Sequence, residues 1–140
     1  MTTTQPGACP PDHICERQPA LRMMSMPADL NPAGDVFGGW IMSMVDIAGG
    51  IAARRRTRSR VVTVAVNSFV FKQPVSVGDL VSFYADVVAV GRTSLTVDVE
   101  VFIERDPRHP MELKVTEAKL TYVALDEAGN KQAIPPNWNE

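Results

Sequence analysis

Between residues 37 and 51 the apolar side chains Phe37, Trp40, Ile41, Met44, Ala48 and Ile51 recur at the i, i+3, i+4, i+7 spacing of an amphipathic helix. A single carboxylate, Asp46, falls almost opposite the centre of that stripe. Its neighbours on that side are Gly39, Met42, Ser43 and Gly50, and no Lys, Glu, Arg or Gln appears before Arg54. That is not the composition of a water-facing helix surface. Glycine costs about 1 kcal/mol per helical position relative to alanine, so Gly38, Gly39, Gly49 and Gly50 point to close approach by backbone or ligand. A carboxylate on such a covered face can serve as a general base or a nucleophile. The plainer reading of Asp46 is an ordinary polar residue on an exposed face, or a partner for an arginine. Gly38-Gly39 also has two readings, which can hold together. One is tight packing of the helix start against a strand. The other is a pair of free backbone N–H groups able to hold an anion or polarise a carbonyl.

The elements around the helix must position these groups. Asp35 suits an N-cap or first-turn acid, and Arg54, Arg55 and Arg56 lie at the end where the helix dipole favours cations. Upstream, Gln18 to Met26 reads as a first strand ended by Pro27, and residues 29–35 read as a loop. Downstream of residue 60 the chain reads as sheet. Val61–Val66 and Phe69–Val75 are β-rich, with a bend between them near Asn67-Ser68, and Leu80–Val90 is long and apolar. After a tight turn at Gly91-Arg92, Leu95, Val97, Val99, Val101 and Ile103 alternate with Thr96, Asp98, Glu100 and Phe102. Asp106–Pro110 reads as a loop and Leu113–Leu125 as the last strand. The fold class expected is α+β: one long central helix wrapped by a curved antiparallel sheet of five to six strands, with the uncovered sheet face hidden by another subunit. One domain is expected over residues 17–130, between a flexible N-terminal tail, 1–16, and a C-terminal tail, 131–140.

Composition narrows the function classes. The 140 residues suit one domain. Fourteen basic against sixteen acidic residues, a net charge of -2, give no bulk electrostatic support for nucleic-acid binding. No stretch approaches the roughly 20 apolar residues of a membrane span. Residues 1–15 lack the basic and apolar regions of a secretory signal, and the two cysteines, Cys9 and Cys15, are too few for a disulfide framework. A cytoplasmic location is therefore expected. Cys9, Cys15 and His13 do not have the spacing of a usual zinc site, and no metal is expected.

The segment Asn31-Pro32-Ala33-Gly34-Asp35-Val36-Phe37-Gly38-Gly39-Trp40, followed by Asp46 within the helix, resembles the hotdog-fold acyl-CoA thioesterases of the bacterial YciA type. Further matches are Arg60-Val61-Val62-Thr63-Val64, Phe71 with Pro74-Val75 and Val77-Gly78-Asp79, Gly91-Arg92-Thr93-Ser94, and Thr116-Glu117-Ala118. The resemblance spans residues 20–135 and implies hydrolysis of acyl-CoA to free acid and CoA. CoA enters as part of the substrate, and no cofactor is implied. It implies a homodimer whose sheets join edge to edge, assembled further into a hexamer, a trimer of dimers. Asn31 and Asp46 are then the catalytic pair, meeting across the dimer interface: Asp46 as general base or nucleophile, Asn31 holding water or carbonyl. Gly38 and Gly39 would polarise the thioester carbonyl, and Gly91, Arg92, Thr93 and Ser94 would meet CoA. The chain departs from the family at Ala33, where relatives often carry a second Asn, and at Asn67, where they often carry an acid. A substrate-binding role is implied for position 67, so rate or specificity is expected to differ.

The same residues bear on other functions of this fold. Dehydratases of this fold generally use a histidine with an acid, but His13 and His109 lie away from the helix and its entry loop. A non-catalytic acyl-CoA-sensing module would use the same fold. The run Arg54–Arg60 reads as a solvated helix end, or alternatively as a lure for CoA phosphates. Met42, Met44 and Phe69 could line an acyl tunnel or simply pack the core, and Trp40 suits core or interface.

Overall fold

A computed structural model describes residues 17–137. The expected tail 1–16, with Cys9, His13 and Cys15, lies outside the described residues. The chain runs β1 (Leu21–Met24), α1 (Gly38–Thr57), β2 (Arg60–Phe71), β3 (Leu80–Val90), β4 (Ser94–Asp106) and β5 (His109–Leu125), with a short 3-10 turn at Pro27–Asp29. The five strands form one antiparallel sheet in the order β1-β3-β4-β5-β2. Five strands at a spacing of about 4.8 Å span roughly 19 Å, wider than a helix of about 10 Å. Yet α1 touches all five strands, so the sheet must curl around it. This is the expected α+β arrangement.

The alternation read along β4 is the alternation of burial: Leu95, Val97, Val99, Val101 and Ile103 are all buried against α1 and β5. The helix stripe differs from its expected position. Ile41, Val45, Ala48, Gly49 and Ala53 face the sheet, whereas Phe37 is exposed and Met44 and Ile51 are only half-buried. The small residues mark the line of closest approach between helix and sheet, which pushes larger side chains to its flanks. The start of α1 also differs. Phe37 is the N-cap and no acid lies in the first turn; Asp35 instead closes the entry loop, its carbonyl accepting from Asn31 N–H at 2.7 Å.

Residues 60–71 form one strand, which ends at Phe71 rather than reaching Val75. Its pairing with β5 slips between Thr63 and Ala65 and again between Val66 and Ser68. Val64 and Asn67 are thus extra residues of two β-bulges, and the bulge at Asn67 supplies the distortion that the sequence expresses as a break. The Asp106–Pro110 loop shrinks to a tight turn, because the Asp106 carboxylate accepts from the Arg108 backbone N–H and guanidinium. After β5, a turn at Gly129 (φ +86°) brings the chain back. Gln132 N–H donates to Ala124, Ile134 N–H donates to Arg92, and the Pro135 carbonyl accepts from Arg56. This strap joins the end of α1 to the β3–β4 turn.

Candidate active site

Asp46 lies on the third turn of α1, exposed, and its carboxylate is held from the sheet. Thr63 Oγ1, on β2, donates to Asp46 Oδ1 at 2.6 Å. The Tyr122 hydroxyl, from β5, lies 2.8 Å from the Asp46 carbonyl oxygen and 3.1 Å from Oδ1. Thr63 and Tyr122 are register partners, so one cross-strand pair supplies both donors. Among the described residues no donor reaches Oδ2, and that oxygen is open. Burial of the ring, with the Asp46 charge and hydrogen bond added, holds the Tyr122 phenol well above its ordinary range. It therefore remains a donor at neutral pH.

This contact explains Gly49. A Cβ there would sit 2.4 Å from the Tyr122 hydroxyl oxygen, while at Gly50 it would meet the ring at an ordinary 3.8 Å. The close approach inferred from the glycines is thus made partly by the chain's own tyrosine. The rest of the Asp46 face, with Gly39, Met42, Ser43 and Ile47, is uncovered in the single chain.

Asn31 occupies the other end of the helix. Its Oδ1 accepts from the Ala33 and Asp35 N–H groups at 2.9 and 3.1 Å. Those two donors fix the amide orientation, so Asn31 presents its NH2 as donor only. Asn31 shares a cleft of about 360 Å³ with Gly38, Phe71 and Lys72. A Cβ on Gly38 would come 3.2 Å from the Phe71 ring, whereas one on Gly39 would meet nothing within 4 Å. Both readings of the glycine pair therefore apply, packing at Gly38 and open access at Gly39. As the first residues of α1, both have N–H groups without an intrahelical acceptor.

Asp46 lies about 12 Å along the helix from Gly38, at about 1.5 Å per residue. One chain thus holds its two expected catalytic residues apart: Asn31 with the helix start, and Asp46 with Thr63 and Tyr122. The remaining expected site residues lie elsewhere. Asn67 accepts from the Thr121 hydroxyl at 2.7 Å. The Gly91–Ser94 turn is closed by Gly91 N–H donating to the Ser94 carbonyl at 2.7 Å and buttressed by the 131–135 strap. Met42 is exposed, Met44 and Phe69 pack against the core, and the Trp40 ring lies 6.4 Å from Phe83. His109 pairs with Asp106 at the surface, remote from α1.

Thr63 and Tyr122 are not among the residues expected at the site from sequence. Thr63 is visible only as a member of a β-rich run. For Tyr122 the sequence holds a usable signal: a hydroxyl-bearing aromatic in the last strand, and a helical glycine, Gly49, three residues after Asp46 where a large neighbour approaches.

Comparison with known proteins adds to this geometry. The family model for the thioesterase superfamily matches residues 33–108. Acyl-CoA thioester hydrolase YciA of Escherichia coli strain K12 is 45% identical over 117 residues, 82% of this chain and 89% of that protein. Among solved structures, a hexameric hotdog-fold thioesterase of Campylobacter jejuni superposes with a TM-score of 0.81 at 46% identity, over 85% of this chain and 91% of that one. A hexameric broad-specificity acyl-coenzyme A thioesterase, solved as an Asp-to-Ala mutant, superposes with a TM-score of 0.83 at 42% identity, over 88% of this chain and 90% of that one.

Proposed function

Since the chain belongs to the thioesterase superfamily, we propose that it is an acyl-CoA thioesterase, hydrolysing acyl-CoA to the free carboxylic acid and CoA. The reaction uses no cofactor, and CoA enters and leaves with the substrate. The observation that carries the catalytic assignment is the Asp46 carboxylate with Oδ1 held by Thr63 and Tyr122 and Oδ2 open. Oδ2 takes a proton from water as the water oxygen bonds to the thioester carbon. The charge developing on the carbonyl oxygen is met by the N–H groups of Gly38 and Gly39 and by the Asn31 NH2. Collapse breaks the C–S bond, and the leaving sulfur takes the proton back from Asp46. Asn67 and the turn Gly91–Ser94 contribute to substrate binding.

The separation of Asn31 and Asp46 along α1 supports a site made of two half-sites and completed by a second subunit, which brings Asn31 and the helix start to Asp46. β2 is a long edge strand, and Val62, Val64, Val66, Val70 and Phe71 are exposed on it. An open apolar edge of this kind is normally covered. We assign it to a homodimer, assembled further into a hexamer as in the relatives. No helix among the described residues is long and apolar enough to cross a membrane, and the assigned place of action is the cytoplasm.

The test is hydrolysis of acyl-CoAs from acetyl to palmitoyl, followed by thiol release, with Asp46→Ala alongside. Turnover by the native chain that is lost in the variant is the expected result. Tight binding of the esters by both proteins without turnover by either would instead make the chain a sensing module.

A further inference from the structure

Asp79 is the only buried charged side chain among the described residues, at 2% exposure. A buried carboxylate is costly unless it is paired and hydrogen-bonded, and this one is both. Arg105, next to last on β4, donates Nε to Oδ1 and Nη2 to Oδ2, each at 3.0 Å, and the Ser76 N–H donates to Oδ2 at 2.8 Å. The same Nη2 reaches the Pro74 carbonyl at 3.4 Å. The Asp79 N–H donates to the Ser76 carbonyl across a turn that holds Gly78 at φ +89°. Val75 is therefore gripped on both sides, in the connection between β2 and β3 that has no strand of its own. A buried ion pair often gives no more stability than an apolar pair of the same size, so what this one supplies is position.

The thing positioned is the loop that carries Asn31. The Val75 carbonyl accepts from the Val36 N–H at 2.9 Å, and both valine side chains are buried in the common core. Among the described residues, the other hydrogen bonds of the loop over residues 29–36 all close within residues 26–37. The bond from Val36 to Val75 is thus the one that ties this loop outward. Pro74 and Val75 also wall the cleft that Asn31 shares with Gly38, whereas neither Asp79 nor Arg105 lines it. We propose that Asp79 and Arg105 are positioning residues for Asn31: through Val75 and Val36 they set where the loop presents the Asn31 NH2 and the first N–H groups of α1. This rests on the thioesterase reading and deepens it. A guanidinium is needed, not merely a cation, because its fork spans both carboxylate oxygens and the Pro74 carbonyl at once.

Arg105→Gln would leave a buried carboxylate unpaired, so the test uses Arg105→Lys, which keeps the charge and loses the fork. Asp79→Asn, of the same shape without the charge, serves as the second variant. Hydrogen exchange read by mass spectrometry should show the peptide over residues 27–37 exchanging at least about tenfold faster in both variants than in the native chain, with residues 95–101 of β4 unchanged. On acyl-CoA, Arg105→Lys should lower kcat by about ten- to a hundredfold, the scale on which a misplacement of ~1 Å acts, with KM little changed. Added to Asn31→Ala it should lower the residual kcat no further, whereas added to Thr63→Val its effect should multiply in full. Unchanged exchange over residues 27–37, exchange raised equally throughout the sheet, or an equal loss of kcat in both backgrounds would overturn the proposal. If the loop loosens as expected but the native chain hydrolyses no thioester, the hold on the loop stands and the thioesterase reading falls.

Discussion

The Tyr122 hydroxyl reaches Asp46 twice, at its backbone carbonyl oxygen and at the carboxylate Oδ1. One buried phenol therefore ties the helix to the sheet at the residue proposed to do the chemistry. A hydroxyl has a single proton, so the two acceptors share it, and Thr63 supplies the undivided donor to Oδ1. Replacing Tyr122 by Phe keeps the ring and removes the tie. The expected result is a fall in kcat of about tenfold, the worth of one hydrogen bond of about 1.4 kcal/mol, with KM little changed. Thr63→Val should lower kcat at least as much and Thr63→Ser should restore most of it. If Tyr122→Phe and Thr63→Val both turned over at the native rate, the two residues would have no part in positioning Asp46.

Neighbouring glycines should respond oppositely to the same substitution. Gly49→Ala drives a methyl group to 2.4 Å from the Tyr122 hydroxyl oxygen; moving that ring should cost about 1–3 kcal/mol and depress kcat with it. Gly50→Ala meets only an ordinary contact, and gains up to about 1 kcal/mol of helix propensity. Thermal denaturation should show Tm lowered by the first change and raised by the second.

The two proposed half-sites can be separated genetically. Asn31→Ala and Asp46→Ala chains should each be nearly inactive alone. If the site is built from two subunits, unfolding and refolding them together in equal amounts gives mixed dimers with one intact site, recovering on the order of a quarter of native activity. A mixture no more active than its components would mean that Asn31 and Asp46 serve the same subunit's site.

Lys114 on β5 pairs with Glu100 on β4 and with Glu117. Burial pushes Glu100 upward, but hydrogen bonds from Lys114 and Arg17 more than offset it and hold the carboxyl below its ordinary value. A carboxyl depressed in the folded state adds stability that is present above the unfolded value, about 4.3, and is lost as pH falls through the folded value. Lys114→Met should therefore lower Tm at pH 7, by an amount that shrinks as the pH is taken below about 4.3. A difference that stays constant across that range would assign the loss to packing of the lysine stem.

The parts of this fold that were legible in the sequence are those set by period and punctuation. Leu80–Val90 was bounded correctly because a Gly-Asp turn precedes it and Gly91 follows it. The alternation from Leu95 to Ile103 showed one face of β4 directly. The helix stripe was displaced because hydrophobicity favours large side chains, whereas the line of contact is marked by Ala48, Gly49 and Ala53. The bend expected near Asn67 is a bulge, which lengthens a strand without ending it. Asp46 and the glycines could be singled out because they break the rules for an exposed helix. Thr63 and Tyr122 obey every rule for a strand, and their part depends on register and helix placement, which one chain's periodicity does not encode.

The interruptions at Val64 and Asn67 in β2 also bear on what can pair with this edge. A regular strand accepts a neighbour in any register and can add partners without limit. Two extra residues placed three apart bend and twist the edge, so that a shift of even one residue misaligns the donors and acceptors on either side. Such an edge discriminates by alignment. In the proposed homodimer such an edge would meet a copy of itself about a twofold axis in one setting, so pairing through it would stop at a closed number of subunits.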